Sequence, residues 1–271
     1  MKKILLALLM LVSTSVFGGD LNLWKNSTLN KIINKGELRV GLEPGYMPFE
    51  MKDRKGNIIG YDVDWAKKMA KEMGVKLTLV PTSWDGIIAG LITEKYDIIM
   101  SGMTITQSRN LKVNFVDPYI VVGQTVMMRK ALSGTISSAK ELDKPSYTIV
   151  TKLGTTGEIA TRKFFKKAKI ITFETEADAA AEVLSGKADA IVYDQPYNVL
   201  FMSDKGAGRL IHLDTPLTYE PLGWAIRKGD PDFINWLNNF LNQMKQDKVV
   251  GFADKTYKKW LVDTKWLKRV Q

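Results

Sequence analysis

Apolar positions along the chain switch repeatedly between strand and helix spacing. Leu38 and Val40 alternate with polar neighbours and predict a strand, after a polar lead from Asp20 to Lys35. From Asp62, residues Ala66, Met69, Ala70 and Met73 keep one helical face, with Asp62 and Asp64 at the end where the helix dipole favours acids. Val75, Leu77 and Leu79 alternate as the next strand, which Pro81 is expected to stop; a helix over 85–94 and a strand over 97–100 follow. A second unit begins after Tyr119: a strand near 148–150, a glycine turn, a helix from Thr156, a strand over 170–173, an alanine-rich helix over 177–184 and a strand over 190–193. Asp230 and Pro231 then open a helix with Phe233, Trp236, Leu237, Phe240, Leu241 and Met244 on one stripe, a pattern of core packing. Such alternation predicts a mostly parallel α/β sheet. No short repeat or low-complexity linker interrupts it, so two lobes joined by strands are expected rather than two domains on a tether.

The first residues follow another logic. Met1-Lys2-Lys3 precedes an apolar run from Ile4 to Phe17, then Gly18, Gly19 and polar Asp20. Charged, apolar and small-residue parts in that order predict a secretory signal peptide over 1–19, cleaved near Gly18 or Gly19. Export changes the meaning of the charge. The 39 basic and 29 acidic residues give +10 overall. An exported chain has little access to nucleic acid, its lysines are scattered, and no basic groove with interleaved aromatics is legible. The excess therefore reads as solvated lysine. With no cysteine and a single histidine, His212, neither disulfides, a thiolate metal site nor a serine–histidine–aspartate triad is supported.

Candidate chemistry gathers just beyond strand ends, where open α/β sheets bind ligands. Ser101, Gly102 and Thr104 follow the strand ending at Met100, with Arg109 five residues further on. Free amides, a hydroxyl and a planar guanidinium together suit a carboxylate. The turn Gly154-Thr155-Thr156-Gly157-Glu158 aims amides at an anion but lacks the lysine of a P-loop. Asp194, after the strand "ADAIVY", suits an ammonium group or the cap of the next helix. Glu43, beside Tyr46 and Phe49, and Trp84 also lie past strand ends, and Trp84 suits either a pocket wall or the core.

The segments "GYDVDWAKKMAKEMG" (60–74), "DIIMSGMTITQSR" (97–109), "FVDPY" (115–119), "LGTTGE" (153–158) and "KADAIVYDQP" (187–196) resemble, in order, the polar amino-acid-binding proteins of ABC importers. Trp65 departs from that pattern, where an aliphatic residue is usual, and the departure concerns packing. The resemblance implies a two-lobed periplasmic binding protein type II fold with two strand crossovers forming a hinge. Residues 20–120 plus 221–271 would form the first lobe and 121–220 the second, with an amino acid between them. It also implies roles for residues: Arg109 with Ser101, Gly102, Thr104 and Thr156 for the α-carboxylate, Asp194 for the α-ammonium, and Trp84 and Tyr46 as aromatic walls.

Glu43 matches the position where relatives preferring lysine, arginine or ornithine carry an acid. With Arg109 and Asp194 assigned to the two α-groups, Glu43 is left without a counter-charge, and a buried lone carboxylate costs several kcal/mol, so a cationic side chain is expected. The expectation is therefore an exported binding protein, not an enzyme, with lysine ahead of arginine and ornithine, no cofactor and no metal. Its partners would be the amino acid and an ABC permease, its only link to the membrane, and the protein would be a periplasmic monomer. Glutamine remains the alternative ligand if Glu43 pairs with a local lysine. The rival class is a cyclohexadienyl (prephenate or arogenate) dehydratase on the same fold, which needs a general acid; after Asp194 the chain reads Gln-Pro-Tyr, without one. An amino-acid sensor is a further rival, but no signalling domain accompanies the chain.

Overall fold

The structure, a computed structural model, describes residues 23–247, 249 and 251–270; the predicted signal peptide and its cleavage site lie outside these residues. The polar lead is helical where it is described. Ser27 caps a helix over Thr28–Lys35 by accepting from the Leu29 amide, Leu29 and Ile32 bury one face, and Gly36 ends it with a left-handed φ of 68°. Lysines and asparagines between the apolar positions hide this helix from the sequence pattern.

Strands Glu37–Leu42 (β1), Met51–Lys52 (β2), Ile58–Ile59 (β3), Lys76–Pro81 (β4), Ile98–Ile99 (β5) and Asn114–Phe115 (β6) come first. Ile120–Val122 (β7), Gln124–Arg129 (β8), Thr148–Lys152 (β9), Lys169–Phe173 (β10), Ala190–Asp194 (β11), Leu210–Leu213 (β12), Glu220–Leu222 (β13) and Ala225–Ile226 (β14) follow. One sheet has the order β4-β1-β5-β14-β6 and another β10-β9-β11-β8-β12, while β2 and β3 form a small ribbon. Pro81 ends β4 as its last residue, in register with Leu42.

Both sheets are mostly parallel, as expected: in each, four of the five strands run one way and one runs against them. β14 runs antiparallel to β5 and β6, and β8 antiparallel to β11 and β12. The strands that break the pattern lie next to the crossovers, so they enter a sheet from the hinge without a preceding helix. β8 is buried in its first five residues and therefore shows no alternation in its sequence. The two crossovers pair with each other: β7 and β13 run antiparallel, Val122 opposite Glu220 and Ile120 opposite Leu222. The chain thus passes from one sheet to the other and back through a two-stranded hinge.

Around the first sheet, Trp65 packs edge-on to Trp224 (ring centres 5.4 Å apart) and to Phe252 (5.0 Å), and is fully buried. The aliphatic residue usual at this position is replaced by a ring that this aromatic cluster accommodates. The Pro231–Gln246 helix lays Phe233, Leu237, Phe240 and Leu241 onto the same core. Its cap, Asp230, accepts from the amides of Phe233 (3.0 Å) and Thr28 (2.6 Å), tying this late helix to the early one. The expected 85–94 helix is shorter than its pattern: a 3₁₀ turn over Trp84–Gly86 precedes an α-helix over Ile87–Ile92. No helix among the described residues is long and apolar enough to cross a membrane.

Candidate functional site

Strand ends from the two sheets face each other across a cleft, and all nine residues singled out from the sequence line it. From the first sheet come Glu43 after β1, Tyr46, Trp84 after β4, and Ser101, Gly102 and Thr104 after β5. Arg109 stands in the short helix Gln107–Asn110, where the Thr106 hydroxyl accepts from its amide at 3.2 Å. The second sheet contributes Thr156 after β9 and Asp194 at the end of β11. Gly102 is required where it stands: its φ is +52°, and a Cβ there would lie 2.2 Å from the Tyr46 ring.

Arg109, half-buried, and Asp194, buried, bring charges of opposite sign to the cleft. The Arg109 guanidinium donates to the Thr104 carbonyl at 2.9 Å and lies 5.2 Å from the Trp84 ring centre. Desolvation pulls its pKa down, against the weaker pull of Glu220 and Asp194, and no carboxylate among the described residues forms an ion pair with it. Asp194 is 5% exposed. Although it occupies the N-cap position of the Gln195–Ser203 helix, its carboxylate makes no capping bond. It accepts instead from the Tyr46 hydroxyl and the Gln124 side-chain amide. Burial pushes its pKa up to about 7. Of the two roles open from the sequence, the cap is therefore not the one its side chain performs.

Glu43 is not without a counter-charge, which corrects the sequence argument. Lys152, the last residue of β9 and 2% exposed at its side chain, forms an ion pair with Glu43 and a second one with Glu176 at 2.8 Å. Burial raises the Glu43 pKa and Lys152 partly restores it; burial likewise disfavours the Lys152 charge, but the two carboxylates outweigh it and hold its pKa above the usual value. Two acids share one lysine, so this end of the cleft keeps one net negative charge.

Lys152 immediately precedes the turn segment "LGTTGE", and a lysine closing a buried strand is the signal that points to it. Glu176, in the first turn of the Glu176–Leu184 helix, looks in sequence like an ordinary dipole-matched acid. Gln124, Thr155, Tyr193 and Glu50 also line the cleft, beyond the residues that the sequence singles out.

Several contacts cross the cleft directly. Trp84 Nε1 donates to the Gly154 carbonyl at 3.0 Å, the Thr104 and Thr156 hydroxyls are 3.3 Å apart, and Tyr46–Asp194 and Glu43–Lys152 join the two sides as well. Part of the amide-rich turn is already used: Gly154 N donates to Glu158 Oε2 at 2.8 Å, and Thr155 caps its helix by accepting from Glu158 N.

Two mixed sheets, a paired double crossover and a charged cleft between them are the architecture of two-lobed binding proteins. Residues 38–263 match the bacterial extracellular solute-binding proteins, family 3. The chain belongs to that family. It is 64% identical to a putative binding component of an ABC transporter from Wolinella succinogenes, solved in complex with lysine; the match covers 86% of this chain and 99% of that one, with a TM-score of 0.84. It is 49% identical to an ancestral amino-acid-binding protein described as a precursor of cyclohexadienyl dehydratase, over 87% of this chain and 100% of that one, TM-score 0.81. The L-cystine-binding protein of Escherichia coli K12 is 30% identical over 86% of this chain and 85% of its own length. These relatives are binding proteins, as the reading of a binder rather than an enzyme requires.

Proposed function

We propose that this family member captures a free L-amino acid with a cationic side chain, lysine before arginine and ornithine, and delivers it to an ABC permease. The protein works as a periplasmic monomer after removal of residues 1–19. Residues 20–120 plus 221–271 move as one lobe and 121–220 as the other.

The charge layout of the cleft carries this reading. Arg109 is desolvated without an acid and Asp194 without a cation, and an α-amino acid supplies both missing charges in one molecule. Ser101, Gly102, Thr104 and Thr156 surround the carboxylate end, and Tyr46 and Trp84 wall the side chain. At the far end Glu43 and Glu176 outnumber Lys152, which favours a second cation over a neutral amide. The lysine bound by the Wolinella relative supports the same choice. Because contacts come from both lobes, ligand binds the closed arrangement better and shifts the hinge equilibrium towards it.

A thermal-shift panel on protein unfolded and refolded to strip co-purified ligand tests the reading, using the twenty amino acids, ornithine, prephenate and arogenate. Ligand at a thousandfold its Kd adds about 4 kcal/mol of stability, a shift of several degrees. Lysine, arginine or ornithine should give the large shifts, and Glu43→Gln should weaken lysine while sparing glutamine. A response to glutamine alone overturns the cationic ligand, and turnover of prephenate or arogenate overturns the binder.

A further inference from the structure

Beneath the Ser101–Gly102 turn lie two acids that the proposed binding scheme leaves without a role. Glu50 and Asp62 are both fully buried, and neither forms an ion pair with a cation among the described residues. Their donors are few. Ser101 Oγ donates to Glu50 Oε1 at 2.7 Å, while Gly102 N at 2.8 Å and the Tyr119 hydroxyl at 3.0 Å donate to Asp62 Oδ2. That leaves one oxygen on each acid, Glu50 Oε2 and Asp62 Oδ1, buried and unsatisfied.

Two ionised carboxylates packed together without a cation are strongly unfavourable, and one proton between them removes the repulsion and satisfies both orphaned oxygens at once. The surroundings decide which acid holds it. Asp62 has two donors and sits in the first turn of the Tyr61–Met73 helix, where a negative charge is favoured; Glu50 has one donor and faces further acids in Glu43 and Glu176. Tyr61 and Tyr119, the other titratable groups against Asp62, are both pushed upward by burial and stay neutral, and Lys152 is engaged by Glu43 and Glu176.

We propose that Glu50 and Asp62 share one proton, carried on Glu50 Oε2 and donated to Asp62 Oδ1, and that this bond makes them positioning residues for the ligand. The chain of contacts is short: Ser101 Oγ accepts from the Glu43 amide at 3.0 Å while donating to Glu50, and the amide of Gly102 is fixed by Asp62. Through that chain the shared proton fixes both the carboxylate platform and the backbone of the residue facing the ligand's cation. The link to binding rests on the amino-acid reading above; the shared proton itself does not.

Infrared spectroscopy of the purified protein at pH 9, where the Asp194 carboxyl is ionised, tests the proton without any ligand. The wild-type spectrum should contain a protonated-carboxyl stretch that disappears in Glu50→Gln and shifts in Asp62→Asn. Absence of the band in the wild type, or a band unchanged in Glu50→Gln, overturns the proposal; should Glu50→Gln fail to fold, an unshifted band in Asp62→Asn does the same. The positioning role is read from lysine titrations. Glu50→Ala should lose about tenfold or more in affinity, and Glu50→Gln, able to accept from Ser101 and donate to Asp62, should recover most of it. Glutamine no better than alanine would mean that Glu50 acts as an ionised acid or as filler, and would overturn the role.

Discussion

The two ends of the cleft handle charge in opposite ways. At one end Arg109 and Asp194 are held by neutral groups, a carbonyl and an indole face for the first, a phenol and an amide for the second. At the other, Lys152 already stands between Glu43 and Glu176. Neutral partners fix a charge in place without cancelling it, so the first end is organised for the two charges common to every α-amino acid. An internal cation partly cancels its acids, so the second end measures the side chain against a competitor built into the protein. Anchoring and selection are thereby separated in space.

The sharpest way to break this comparison is Arg109→Met. Loss of a charge-assisted, bidentate contact in a dry site should cost about 3 kcal/mol or more in lysine binding, over a hundredfold in Kd. Arg109→Lys should recover little, since an ammonium cannot form the planar fork. The melting temperature without ligand should hold or rise, because the removed cation was desolvated and unpaired. Calorimetric titration with a parallel melt checks both, and undiminished binding would move the carboxylate elsewhere.

Acidity gives the next largest effect. Burial places the Asp194 carboxyl at about 7, and a ligand ammonium requires its ionised form. Lysine should therefore bind about tenfold more weakly at pH 6 than at pH 8, with proton release on binding at the lower pH. A carboxyl raised above its unfolded value takes up a proton on folding, so its contribution is fully present below about pH 4 and is lost as pH rises through 7. The unliganded protein should become less stable over that window, and Asp194→Asn should flatten both profiles. A wild-type affinity that does not change with pH would remove Asp194 as the ammonium acceptor.

The same contrast governs what is legible in the amino-acid sequence. Residues beyond the C-terminal ends of parallel strands are a local signal, because the strand pattern and the polar turn adjoin in sequence; Arg109, Ser101, Thr156 and Trp84 stand out for that reason. Long aromatic stripes, such as 233–244, are legible on the same ground. Partners that only long-range topology brings together are not: Lys152 approaches Glu43 across 109 positions through the hinge, and Gln124 meets Asp194 across 70 as its antiparallel partner within one sheet. The antiparallel β8 is hidden because a fully buried strand has no alternation, and Glu50 because a lone acid after Phe49 resembles surface. Glu43 lacks a counter-charge in the sequence argument for this reason alone. Counting charges along a chain omits any that topology brings in.

Lys152→Met sharpens the comparison where its effect is smallest and most specific. Without the internal ammonium, Glu43 and Glu176 stand together with no cation, and the burial that already raises the Glu43 pKa pushes Glu43 further towards its protonated form. The unliganded variant should lose stability at neutral pH and regain it in mild acid, as Glu43 takes up a proton. A lysine or arginine ligand now supplies the missing positive charge, whereas glutamine leaves both acids uncompensated. Selectivity for lysine over glutamine should therefore widen severalfold, about 1 kcal/mol in the ratio of dissociation constants, even if absolute affinities change together. Arg109 and Asp194, at the other end, should keep their own part of the pH profile, to which proton release from Glu43 is now added. Equal losses for lysine and glutamine would show instead that Lys152 holds the lobes together for any ligand, and selection would then have to be sought in the walls formed by Trp84 and Tyr46.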